Sequence, residues 1–92
     1  MYIRFTEDEL IRIRDFAMQS EDCEQIGENE FVLDLYDLEA PVTLDIVLDK
    51  RGAQVEGAAY LSFDEEMDGW YMDAPMEREE DVREAIARIC RL

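Results

Sequence analysis

The chain has 92 residues, with 25 Asp and Glu against 9 Lys and Arg, no histidine, and a formal charge of −16 at pH 7. A small domain needs a net charge of only about 2–8 in magnitude to stay soluble, and the excess repels itself in the compact state. That charge opposes direct nucleic-acid binding, the missing imidazole removes Ser-His and Cys-His dyads and histidine metal sites, and no apolar run approaches the roughly 20 residues of a membrane span.

Disordered acidic tails are poor in aromatic and β-branched residues. Here 48% of the chain is apolar, with four Phe, four Tyr and one Trp, so residues 1–92 are expected to form a single acidic α+β domain with a modest core. Met1 to Phe5 is β-capable, with Ile3 and Phe5 on one side. Thr6-Glu7-Asp8-Glu9 is a capping box, Phe5 and Leu10 occupy its staple positions, and the first-turn acids suit the helix dipole. The spacing predicts a helix over Glu7–Gln19 that buries Leu10, Ile13, Phe16 and Ala17. Ser20–Glu30 is a polar connection containing Cys23, Ile26 and Gly27. Phe31–Tyr36 alternates with Phe31, Leu33 and Leu35 inward, and Val42–Leu48 alternates with Val42, Leu44, Ile46 and Leu48 inward.

Asp49-Lys50-Arg51-Gly52 predicts a tight hairpin, Gly52 taking the positive-φ position. Ala53–Phe63 is the return strand, with Val55, Ala59, Leu61 and Phe63 inward and Gly57 marking a bulge or a close approach. Asp64–Asp68 is an acidic loop, and Gly69–Met72 a short further strand. Asp73-Ala74-Pro75 reads as the start of a second helix, Asp73 capping it and Pro75 in its first turn. The helix runs over about Glu77–Arg91, with Val82, Ala85, Ile86 and Ile89 buried and Glu79–Arg83 and Glu84–Arg88 as i,i+4 pairs. The expected fold is a small antiparallel sheet of three to five strands with an N-terminal and a C-terminal helix packed on one face.

Little here points to catalysis. Cys23 sits among Glu21, Asp22 and Glu24, which oppose thiolate formation, and two cysteines cannot close a structural zinc site. Asp64-Glu65-Glu66-Met67-Asp68-Gly69 matches the first half of an EF-hand loop, but Pro75 stands where the bidentate Glu belongs. No Gly-rich phosphate loop occurs. The expectation is a non-enzymatic protein with no cofactor and no metal. No signal peptide is recognisable in Met1–Asp8, and two free thiols suit a reducing, cytoplasmic setting.

The bases avoid the middle of the chain: none lies between Asp15 and Asp49, nor between Gly52 and Glu77. If the inward residues cover the helices, the other sheet face carries Asp34, Tyr36, Thr43, Asp45, Val47, Asp49, Glu56, Tyr60, Ser62 and Asp64, continued by Glu65, Glu66 and Asp68 in the loop. Same-side residues two apart on a strand lie about 6.6 Å apart, so these carboxylates form an anionic array with interspersed tyrosines. Tyr71 is a further contact candidate, whereas Trp70 is expected to close one end of the core. Phosphate contacts dominate the affinity of nucleic-acid-binding grooves. An array of this kind suits a basic, nucleic-acid-binding protein partner that it would inhibit by occluding its groove. In size and acidity the chain resembles small nucleic-acid mimics, including some anti-CRISPR proteins; the resemblance is compositional and implies a phage or mobile-element anti-defence role. Two other readings fit the composition: an immunity protein or antitoxin against a basic toxin, and an acidic accessory or oligomerisation domain.

Overall fold

Five antiparallel pairings build the molecule around its longest strand. The computed structural model describes residues 1–36 and 39–92. In chain order the elements are β1 (Tyr2–Arg4), α1 (Glu7–Gln19), β2 (Cys23–Gln25), β3 (Glu30–Leu35), β4 (Val42–Leu48), β5 (Gly52–Asp64), β6 (Gly69–Pro75) and α2 (Glu79–Cys90). The strands form one six-stranded antiparallel sheet in the order β1-β5-β4-β3-β2, with β6 also on β5. Ala53 pairs with both Leu48 and Ile3, and Ala59 with both Thr43 and Pro75. β1 and β6 therefore share the edge of β5 that β4 leaves free. The fold is α+β, with one strand more than the sequence suggests.

The extra strand is β2. Its residues pair with Phe31–Leu33 of β3, yet Glu24 and Gln25 are exposed and only Cys23 is partly covered. An edge strand held by backbone bonds alone carries no hydrophobic alternation to read.

α1 follows its local code. The Thr6 hydroxyl accepts from the Glu9 amide at 3.2 Å, and the Glu9 carboxylate accepts from the Thr6 amide at 2.9 Å. The helix ends where the Ser20 amide reaches the Phe16 carbonyl. Its buried residues are Leu10, Ile13 and Ala17, with Phe16 only partly covered. They share one cluster with Ile3, the inward residues of β3 and β4, and Val82, Ala85 and Ile86 of α2. Each fully buried Leu, Ile or Phe contributes about 1.5–3 kcal/mol, so this cluster is the main source of stability in a highly charged chain.

Three local expectations are corrected. Gly52 does not take a positive φ; among the described residues only Asp68 and Arg91 do. Gly52 is glycine because β1 crowds it: a Cβ there would lie 2.1 Å from the Ile3 carbonyl oxygen. Asp73-Ala74-Pro75 does not start α2 but completes β6, which β5 is long enough to template. Proline is tolerated because β6 is an edge strand. α2 begins after Arg78 with no side-chain cap and closes at Arg91 in the left-handed region. Of the two i,i+4 pairs, Glu84–Arg88 forms at 3.1 Å. Arg83 instead donates to the Arg4 carbonyl and stands 4.8 Å from the Phe5 ring centroid.

Candidate partner-binding face

Two bulges set the geometry of the face turned away from the core. Asp45 pairs with Gly57 but Ile46 with Val55, so Glu56 is an extra residue and the inward-outward phase of β5 reverses there, at the position Gly57 marks in the sequence. Beyond it, Ala58 and Tyr60 pair with Leu44 and Val42 and pack against the core. Tyr60 thus leaves the outer array, and Ala59, though buried, leaves the core cluster. Leu61 and Phe63 share the side of Ala59 and likewise do not face the core; Phe63 is 46% exposed. A second register shift leaves Asp73 as the extra residue of β6.

The outer face of the central strands carries Glu30, Val32 and Asp34 on β3, Thr43, Asp45 and Val47 on β4, and Glu56 beside them at the bulge. The Thr43 hydroxyl donates to Asp34 at 2.5 Å. Loss of hydration, then the Asp45 charge and the hydrogen bond to it, and then Glu56, push the Glu30 carboxyl above its ordinary range. One carboxylate oxygen of Asp45 is buried without a hydrogen-bond partner. This crowd of like charges stores repulsion that a cation would relieve.

Beyond Tyr60 the chain forms a two-stranded arm ending in a turn at Glu65–Asp68. Asp64 braces the turn by accepting from the Glu66 amide at 2.9 Å, and Asp68 takes the left-handed conformation. Among the described residues no cluster of potential ligands is arranged to hold a metal ion. Trp70 does not close the core. It pairs across the arm with Phe63, the ring centroids 5.4 Å apart, and lies 5.0 Å from Tyr36 at the end of β3. It is 44% exposed, and Met72 on the same side is 72% exposed. Tyr71 points to the opposite side, pairing with Ser62.

Asp49 also departs from the expected array. Its carboxylate accepts from the Tyr2 hydroxyl and from the amides of Arg51 and Gly52, at 2.7–2.9 Å. Those bonds, the Arg51 amide foremost, hold its carboxyl below the usual range. It is a turn brace beside two bases rather than a free contact.

The bases are segregated. Strands β2 to β6 contain no Lys or Arg, and their acids are Glu24, Glu30, Asp34, Asp45, Glu56, Asp64 and Asp73. Among the described residues the ion pairs are Arg78–Glu80 and Glu84–Arg88, both at α2. Arg4, Lys50, Arg51 and Arg83 line one hollow at the β4–β5 turn, and Glu65, Glu66 and Asp68 lie past the other end of β5. A strand of 13 residues separates the two turns, about 40 Å at 3.3 Å per residue, close to the molecule's longest dimension of 43 Å. The arm and its tip carry acids and no bases.

No family model, curated protein or solved structure matches this chain.

The thiols take no part in the face. Cys23 is half-buried and Cys90 buried. Burial pushes the Cys90 thiol up to about 12, and burial likewise raises that of Cys23. No described helix is long and apolar enough to cross a membrane. Of the residues picked from the sequence, Asp34, Asp45 and Glu56 gather on the outer face. Tyr36 joins the arm through Trp70, and Asp64, Glu65, Glu66 and Asp68 form the tip. Glu30, Phe63, Trp70, Met72 and Asp73 were missed. Glu30 precedes the alternating run and so carries no facing signal, while the other four follow from the phase reversal and from strand pairing.

Proposed function

We propose that this chain is a non-enzymatic binding protein that inserts its anionic sheet face and arm into the basic groove of a nucleic-acid-binding protein, competing with the nucleic acid. The observation that carries the reading is the absence of any Lys or Arg from β2 to β6 while carboxylates run along them. An acidity serving solubility alone would not need strands β2–β6 cleared of bases, which lie instead on β1, the β4–β5 turn, the α2 entry and the helices. Two carboxylates about 7 Å apart repel by only about 0.6 kcal/mol in water. The face is therefore tolerable when free, and its pairing with a cationic groove is strongly screened by salt. Charge steers encounter and register. The exposed aromatic pair Phe63 and Trp70, with Tyr36 beside them, supplies the apolar contact that charge alone does not.

The test is capture of partners by the immobilised protein from a host lysate at low salt, with elution by excess DNA or RNA and, separately, by salt. The expected result is a nucleic-acid-binding protein released by both. A D34N/D45N/E56Q variant is expected to keep the fold and lose the capture. A partner that nucleic acid does not displace, or one retained unchanged by the triple variant, refutes competition through this face. The first of these outcomes points to an immunity-type pairing.

A further inference from the structure

A groove of about 430 Å³ crosses the outer face between β4 and β6, toward the small end of the roughly 300–1,000 Å³ range of ligand pockets. Gly57, Ala58 and Ala59 form its floor, Thr43 and Asp45 one wall, and the β6 segment Met72–Pro75 the other. Its surface is mostly apolar, and Asp45 brings a carboxylate to one wall. The Asp73 carboxylate turns to the Ser62 side of the arm, accepting from that hydroxyl at 2.9 Å, and one oxygen of Asp45 is buried without a donor.

Gly57 is informative because, although it sits at the bulge, neither its backbone conformation nor its neighbours demand a glycine. Its φ is not positive, and a Cβ built on it meets no atom within 4 Å. It pairs with Asp45 and so shares the outer side; a side chain would extend into the groove. A strand glycine marks a bulge, as here, or a place where a ligand approaches closely, and the missing side chain leaves the groove floor open.

We propose that this groove seats one arginine side chain of the basic partner, a refinement that rests on the functional reading above. The methylene stem lies along Ala59 and Met72, and the guanidinium meets the carboxylate of Asp45. Arginine suits the site better than lysine because its planar head is weakly hydrated and bonds a carboxylate through two donors. A guanidinium there also relieves the repulsion among Asp45, Glu30 and Glu56. A second copy of this chain does not fit the same site, since it brings a net charge of −16 and an outer face without bases over β2–β6.

The test is an amide NMR titration of the full chain with the peptide acetyl-Gly-Arg-Gly-amide, and with its citrulline and lysine counterparts. The expected result is saturable shifts centred on Gly57–Ala59 and Ala74. The neutral citrulline peptide should bind at least about tenfold more weakly, equivalent to about 1.4 kcal/mol. Gly57→Val, whose Cβ meets no atom within 4 Å, should fill the groove and abolish these shifts while leaving the remaining spectrum native; Ala59→Leu serves the same purpose should the first variant not fold. Shifts scattered over Glu21–Glu28 and Glu65–Asp68, or unchanged in the filled variants, overturn the proposal. Because the titration needs no partner, its outcome is independent of the capture experiment. Saturable seating with no DNA-displaced partner would leave the groove standing and remove the mimicry.

Discussion

Replacing Gly52 by Ala puts a methyl group against the backbone of β1. The new Cβ would lie 2.1 Å from the Ile3 carbonyl oxygen and 3.0 Å from Arg4 Cα, where ordinary contact begins near 3.4 Å. Both obstacles are main chain, so no side chain can swing away and β1 must lift from β5. The strand is held by the Val55 amide on the Met1 carbonyl at 2.7 Å and the Phe5 amide on the Arg51 carbonyl at 3.0 Å. Beneath it Ile3 is fully buried. Losing much of the Ile3 burial forfeits up to about 1.5–3 kcal/mol, and each weakened backbone bond adds about 0.5–1.5 kcal/mol. The expected destabilisation is about 2–4 kcal/mol, a large fraction of the roughly 5–15 kcal/mol that holds a typical domain. Equilibrium urea unfolding by circular dichroism reads it as a lower midpoint at unchanged slope. Gly57→Ala is the control: it meets no atom, and the lost chain entropy of the unfolded state makes it neutral to slightly stabilising. A Gly52→Ala midpoint equal to that of Gly57→Ala would refute the crowding explanation.

Thr6→Ala removes one half of the capping box and should cost about 1 kcal/mol, read in the same assay, with Thr6→Ser retaining most of it. Trp70→Ala should cost only about 1–2 kcal/mol, the worth of aromatic pairs with Tyr36 and Phe63 and some surface burial; a loss of about 3–5 kcal/mol, as for a core tryptophan, would show that Trp70 does close the core. The folded-state pKa of Glu30 is raised, so its ionised form disfavours the fold, and its contribution to stability is present below the ordinary carboxyl value and lost as pH rises through the raised one. Glu30→Gln should therefore raise the thermal midpoint at pH 7, with the gain vanishing below the ordinary glutamate value of 4.5; a pH-independent effect would contradict the carboxylate crowding. Asp49 works in the opposite sense: its lowered pKa supplies stability present above the usual aspartate range and lost as pH falls through the lowered value, so Asp49→Asn should destabilise most at neutral pH.

Wherever one residue and its near neighbours hold the whole cause, the chain alone is enough. α1 begins and ends where Thr6, Glu9 and the spacing of Leu10, Ile13 and Ala17 require, and Val42–Leu48 is a strand because its alternation is unbroken. The segregation of bases is likewise a property of the linear order, which strand formation converts into an anionic face. Tertiary structure decided the rest. β2 exists because β3 offers it an edge, and β6 extends through Pro75 because β5 is long enough to pair with it. Gly52 is explained by an atom of Ile3, some fifty positions away in the chain. The decisive case is the bulge at Glu56. One additional residue in a period-two element reverses every side chain that follows, turning Tyr60 to the core and Ala59, Leu61 and Phe63 to the outer face. Gly57 signals the bulge within β5, but that Glu56 becomes the extra residue, and so which side chains reverse, depends on register against β4.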